Sequence, residues 1–200
     1  MSEPGQAHPP FEVVALAASA GGLGALSEVL APLPADFAAA IVLVQHLDPN
    51  HKSLMAEILG RRTALVVRQA EQGDRIGPGG VWVAPPGHHL LINVDGTLSL
   101  TTTELVHFVR PSADLMFDSM AAGYRDRSIA VVLTGTGSDG EMGVRAVRKM
   151  GGTVIAQDRA TSEFFGMPGA AIETGCVDFI LPLGEIAPAL ATLVDRGGVS

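Results

Sequence analysis

Two stretches of this chain, Ile41-Val42-Leu43-Val44 and Ile129-Ala130-Val131-Val132-Leu133, are apolar at every position. A strand with one face in water alternates apolar with polar residues, whereas a strand that is apolar throughout is buried on both faces. Such burial requires helices on both sides of the sheet, and sheets covered in that way are mostly parallel. The succession of elements agrees. Strands are predicted at 12–18, 39–45, 65–68, 81–84, 128–134, 153–157 and 177–181, with helices at 22–31, 51–60, 112–122, 140–150, 168–174 and from 184 onward. Leu90 to Val94 and Thr97 to Leu100 flank Asp95-Gly96, a strong hairpin signal. The expected fold class is α/β: a doubly wound, mostly parallel sheet with helices on both faces and a small antiparallel hairpin added locally.

Two hundred residues, 47% of them apolar, suit one domain with an ample core. That domain is expected at 11–195, between a disordered lead-in at 1–10 and a short tail at 196–200. The single cysteine, Cys176, allows no internal disulfide and fits a reducing compartment. The net charge of -8 disfavours nucleic acid, whose binding rests on cations meeting phosphates. The first ten residues lack the basic start and apolar stretch of a signal peptide. Apolar runs such as 37–44 fall far short of the roughly 20 residues that span a bilayer. A soluble cytoplasmic protein with no membrane insertion is expected.

In an open α/β sheet, ligands bind just outside the carboxyl ends of the strands. Three strands here end in different members of a hydrolytic triad: Ser19, His46 and, on a glycine-rich turn, Asp139. Ser19-Ala20-Gly21-Gly22 lies between a strand and a helix, where free backbone N–H groups and partial positive charge collect. Those donors suit an oxyanion. The turn is not the Gly-x-Ser-x-Gly elbow, because position 17 is Ala. A helix N-cap accounts for Ser19 equally well, and a phosphate-cradling loop is a third reading.

The segment Thr134 to Gly140 also has two readings. Gly135, Gly137 and Gly140 match G-x-G-x-x-G between a strand and a helix, with Asp158 placed to meet a ribose. A dinucleotide-binding domain is therefore the alternative function. It leaves Ser19 and His46 idle and sets Asp139 against a pyrophosphate, whereas an esterase uses all three strand ends. No metal or other cofactor is expected, since no Cys, His and carboxylate set has ligand spacing; His88 and His89 would diverge on a strand.

Ala18-Ser19-Ala20-Gly21-Gly22, Gln45-His46, Arg110-Pro111-Ser112-Ala113-Asp114, Gly135-Thr136-Gly137-Ser138-Asp139-Gly140 and Phe165-Gly166-Met167-Pro168 together resemble the catalytic domain of the chemotaxis protein-glutamate methylesterases (CheB type). The resemblance spans about 11–195. It implies hydrolysis of glutamate γ-methyl esters on chemoreceptor signalling helices, with deamidation of receptor glutamines in many members. By motif match, Ser19 is the nucleophile, His46 the general base and acid, and Asp139 its partner. Backbone N–H groups at Ala20 or Gly21 and at Thr136 are the implied oxyanion and substrate contacts. Well-studied members carry Thr where this chain has Ala20 and Met where it has Thr136, which bears on substrate range rather than on the backbone donors. Members under classical regulation also carry an N-terminal receiver domain, so a stand-alone domain, constitutive or controlled by a separate protein, is expected.

Five further residues receive structural readings. Arg110 is expected to anchor the helix near Ser112 rather than reach the site's rim. Met167-Pro168 is expected to shape a loop at the carboxyl edge, Trp82 to lie in the core, and Cys176 to begin a buried strand.

Overall fold

The computed structural model describes residues 12–46, 53–105 and 109–196. The expected lead-in at 1–10 lies outside the described residues, as does most of the expected tail. Seven parallel strands form the main sheet: β1 (Val13–Ala18), β2 (Ala40–Gln45), β3 (Val66–Gln69), β4 (Gly80–Val83), β7 (Ser128–Val132), β8 (Thr153–Gln157) and β9 (Phe179–Leu181). They lie in the order β3-β4-β2-β1-β7-β8-β9. The intervening helices are α1 (Gly22–Leu30), α2 (Met55–Gly60), α3 (Ala113–Tyr124), α4 (Glu141–Lys149), α5 (Gly166–Glu173) and α6 (Leu183–Arg196). Strands β5 (His89–Ile92) and β6 (Leu98–Thr101) pair antiparallel as the hairpin.

Every residue of β1, β2 and β7 is buried, as the uninterrupted apolar runs require. Successive side chains alternate between two cores. Val13, Ala15 and Ala17 face a core built with α3, α4, α5 and the hairpin. Val14, Leu16 and Ala18 face one built with α1, α2 and α6. The small side chains of Ala15 and Ala17 leave room for Met116, Phe117 and Met120 of α3 in the first core.

The chain winds outward from β1 through β2 toward β4 and β3, then returns to place β7 on the other side of β1. The carboxyl end of β1 is thus the point where the winding direction reverses, the position at which an open α/β sheet forms a crevice.

The hairpin is the small antiparallel addition expected, a two-stranded sheet of its own packed through β5 on α3, while several other details differ from the sequence reading. Its connection runs over five residues, with Gly96 alone in the left-handed region (φ 79°), and Asn93 N–H donates to the Thr97 carbonyl at 2.9 Å. Met167 and Pro168 lie in the first turn of α5 and not in a loop; there the missing proline N–H breaks no helical hydrogen bond. Cys176 sits half-buried in the turn ahead of β9, which begins only at Phe179. Helix α2 begins at Met55; the predicted start at 51 lies outside the described residues.

Helices α3 and α4 approach each other across Gly143. A Cβ at that position would stand 2.6 Å from Phe117 Cβ and 3.1 Å from Asp114 Cα. Gly143→Ala would force the two helices apart, because a packed interior resists added volume. The expected cost is about 1–3 kcal/mol, measured by urea denaturation, despite alanine's better helix propensity.

Candidate active site

Ser19 directly follows β1 and His46 directly follows β2. These strands pair in parallel with Ala18 opposite Gln45, so Ser19 and His46 occupy neighbouring positions on the next step. Sheet parity carries both toward the α3 side, since Ala17 and Val44 face that core. The ladder continues past the strands: Ser19 N–H donates to the Thr134 carbonyl at 3.0 Å, and His46 N–H to the Ala18 carbonyl at 3.2 Å.

Gln45 ties the two ends together. Its amide nitrogen donates to the carbonyls of Ser19 (2.7 Å) and His46 (3.2 Å). Its side-chain oxygen is buried, meets no partner among the described residues, and fills the space a Cβ at position 22 would need. Sequence reading passed over Gln45 except as part of a motif. The available signal was a polar residue ending an otherwise apolar strand, followed by a histidine.

Asp139 is densely coordinated. Its side chain is 3% exposed, and its two oxygens accept four hydrogen bonds. Oδ2 takes His46 Nε2 at 2.7 Å and Ala113 N–H at 2.6 Å. Oδ1 takes the Ser112 hydroxyl at 2.9 Å and Asp114 N–H at 3.1 Å. The backbone donors belong to the first turn of α3, where N–H groups have no intrahelical partner. Burial raises the Asp139 pKa, but the bond from His46 and the N–H groups of Ala113 and Asp114 outweigh it and hold the carboxyl below the ordinary aspartate value. With Nε2 engaged by the carboxylate, Nδ1 is the remaining ring nitrogen of His46.

Asp114 returns the favour: its Oδ1 accepts from Gly140 N–H (3.0 Å) and Gly143 N–H (2.7 Å) at the start of α4. Each helix is therefore begun by a carboxylate from the other's leading segment. This exchange overturns the dinucleotide reading. The N-terminus of α4, where a pyrophosphate would rest, is filled by Asp114. Asp158 is committed to its own turn, accepting from Thr161 N–H (2.9 Å) and the Thr161 hydroxyl (2.6 Å).

Around Ser19 the walls are close. Gly135 N–H donates to the Phe164 carbonyl, and its own carbonyl accepts from Met167 N–H, both at 2.9 Å. A Cβ on Gly135 would meet Ser19 Cβ at 2.9 Å and collide with the Met167 sulfur. The Thr134 hydroxyl accepts from Phe164 N–H at 2.8 Å and lies 3.1 Å from the Ala20 carbonyl, locking the 163–165 segment over the serine turn.

The structure hydrogen-bonds His46 to Asp139, while the Ser19 hydroxyl meets no partner among the described residues. Nucleophile–base contacts are commonly loose before substrate binds. Ser19 does not cap α1; the cap position is Gly21, in the left-handed region at φ 76° and with no side-chain cap. Among the described residues, the N–H groups of Ala20, Gly21 and Thr136 meet no acceptor. Thr136 is exposed on its loop. Glu163, which no sequence signal singled out, brings Oε2 to 2.7 Å from where a side chain on Gly21 would begin. Arg110 donates through Nη1 to the carbonyls of Thr102 and Thr103 at 2.9 Å each. Trp82 is buried in the core beneath the Arg68 guanidinium.

A family model described as CheB methylesterase matches residues 14–190. The chain belongs to the CheB methylesterase family. The catalytic domain of the Thermotoga maritima CheB methylesterase, a crystal structure, superposes with a TM-score of 0.88 at 38% identity, covering 92% of this chain and 98% of that one. A protein-glutamate methylesterase/protein-glutamine glutaminase of Moorella thermoacetica is 43% identical over 194 residues, which is 95% of this chain and 46% of that protein. One of Burkholderia lata is 47% identical over 181 residues, 90% of this chain and 54% of that protein. The chain thus spans about half the length of these two relatives.

The depressed pKa of Asp139 has a thermodynamic consequence. A carboxyl whose folded pKa lies below its unfolded value stabilises the fold fully above the unfolded pKa of about 3.9, and that contribution is lost as pH falls through the folded pKa. Urea denaturation from pH 7 to pH 3 is expected to show a decline below about pH 4. In Asp139→Asn part of that decline should disappear; an unchanged slope would show that Asp139 is not held ionised by its cradle.

Proposed function

We propose that this CheB-family domain is a serine hydrolase that removes γ-methyl esters from glutamate residues of chemoreceptor signalling helices, releasing methanol. The observation that carries the reading is the pairing of His46 with a fully hydrogen-bonded Asp139, one strand from a serine hydroxyl with no other commitment. A buried carboxylate kept ionised beside an imidazole is an arrangement suited to a base that must become cationic and revert.

The reaction proceeds by acyl transfer. His46 Nδ1 takes the Ser19 proton as Oγ attacks the ester carbonyl, and Asp139 stabilises the resulting imidazolium through Nε2–H. The negative charge on the carbonyl oxygen develops against the N–H groups of Ala20 or Gly21 and of Thr136. A preorganised donor of this kind contributes about 3–4 kcal/mol. The imidazolium then protonates the departing methoxide, giving methanol and a glutamyl ester on Ser19. Water, deprotonated by His46, attacks this ester, and Ser19 recovers its proton as glutamate leaves.

A receptor glutamine enters the same sequence, with ammonia departing in place of methanol. The names of the Moorella and Burkholderia relatives carry both activities and support this extension. A cytoplasmic location fits the single cysteine and the finding that no helix among the described residues is long and apolar enough to cross a membrane. A separate chemosensory protein that controls access to the site is the further partner proposed.

The test is methanol release from a methylated chemoreceptor cytoplasmic fragment. The chain is expected to release methanol and Ser19→Ala to release none; release by the variant at the wild-type rate would remove Ser19 as nucleophile. His46→Ala should likewise release no methanol, because the serine proton then has no acceptor; release at the wild-type rate would remove His46 as base. Asp139→Asn should lower kcat by several orders of magnitude while the protein remains folded at pH 7.

A further inference from the structure

His89 lies on β5 of the hairpin and is completely buried. A position of that kind ordinarily carries an aliphatic side chain. Both ring nitrogens are engaged. Nδ1 accepts from Ser112 N–H at 3.1 Å, and Nε2 lies 3.0 Å from the Glu104 carbonyl. A backbone N–H can only donate and a carbonyl can only accept, so the ring is fixed as the neutral Nε2–H tautomer. His88, its neighbour in sequence, points elsewhere, with Nδ1 against the Pro86 carbonyl at 3.0 Å.

Ser112 is the residue through which this matters. Its N–H goes to His89, its hydroxyl goes to Asp139 Oδ1, and the two N–H groups that follow it go to the same carboxylate. A continuous chain of hydrogen bonds therefore runs from the Glu104 carbonyl through His89, Ser112 and Asp139 to His46. Arg110 secures the far end by holding the carbonyls of Thr102 and Thr103, the two residues before Glu104.

We propose that His89 is a positioning residue for the triad: its neutral imidazole fixes the Ser112 backbone, and through Ser112 it sets the orientation of Asp139 toward His46. The hairpin is then a brace for the active site, bearing on a carboxylate carried by a different sheet and helix. The inference rests on the hydrolase reading of Ser19, His46 and Asp139.

Two substitutions separate positioning from packing. His89→Asn places an acceptor near the Nδ1 position and loses the donor to Glu104. His89→Gln keeps a donor near Nε2 and loses the acceptor for Ser112 N–H. The readouts are kcat and KM for methanol release and, independently of any receptor, the rate at which a fluorophosphonate labels Ser19, each per folded molecule.

His89→Gln is expected to lower kcat and the labelling rate about tenfold or more with KM unchanged, since a misplaced catalytic group commonly costs one to two orders of magnitude. His89→Asn should stay within about threefold of wild type, because its acceptor preserves the geometry that sets the rate. In a double-mutant cycle on labelling rate, Gln at position 89 and Ala at 112 should combine less than additively, as two links of one chain do. Equal losses in the Asn and Gln variants, a wild-type rate in the Gln variant, or additive effects would overturn the proposal. Should the Gln variant not fold, the Asn variant decides alone: a labelling rate down tenfold per folded molecule would overturn it. Wild-type labelling of Ser19 without methanol release would defeat the methylesterase reading and leave the positioning role standing.

Discussion

Two buried carboxylates, each spent on the other's helix, hold the functional half of this structure together. A carboxylate removed from water costs several kcal/mol unless its oxygens are satisfied, so neither Asp114 nor Asp139 could sit where it does alone. Asp139 is satisfied by the opening turn of α3 and Asp114 by the opening turn of α4. Positive partial charge at both helix starts strengthens the exchange. The two helices are thereby clasped at the ends nearest the sheet's carboxyl edge. Gly143 lets them approach closely enough for the clasp to close, and Phe117 packs in the space between. Because Asp139 is one arm of the clasp, its second oxygen points to His46 as a result of helix packing.

The sheet supplies the other half of the placement. Strands β1 and β2 run side by side in parallel, so residues one step beyond their ends are neighbours without any special loop. Gln45 fastens those two ends through their backbone carbonyls. Ser19 and His46 thus inherit their separation from strand spacing, a rigid quantity of about 4.8 Å. His46 and Asp139 inherit theirs from the helix clasp. His46 is where these two rigid assemblies meet.

Much of this was legible in the residues. Continuous apolar runs in β2 and β7 disclosed a doubly covered parallel sheet, and the polar residues just past three strands marked the rim where chemistry belongs. The residues that stayed hidden act at long range. His89 looked like half of an adjacent pair with no purpose, because its partners are 15 and 23 positions away. Asp114 stood in the sequence only as the end of the motif that begins at Arg110; that it reaches another helix is a fact of packing. The glycines at 135, 137 and 140 satisfied a phosphate-loop pattern because both kinds of site need a tight strand-to-helix turn. What separates them is which anion occupies the helix start, and here it is the protein's own. The hairpin was recognised from Asp95-Gly96, but local signals cannot say which sheet a hairpin joins.

The groups proposed to meet the reacting carbonyl are, apart from Ser19 and His46, backbone amides of Ala20, Gly21 and Thr136, and an amide keeps its N–H whatever side chain it bears. The side chains facing outward around them, Thr136, Glu163 and the 40% exposed Phe164, hold no part of the hydrogen-bonded framework among the described residues. In the proposed reaction, chemistry and recognition therefore fall to separable parts of the same few loops, and the outward side chains can change without touching the backbone donors beneath.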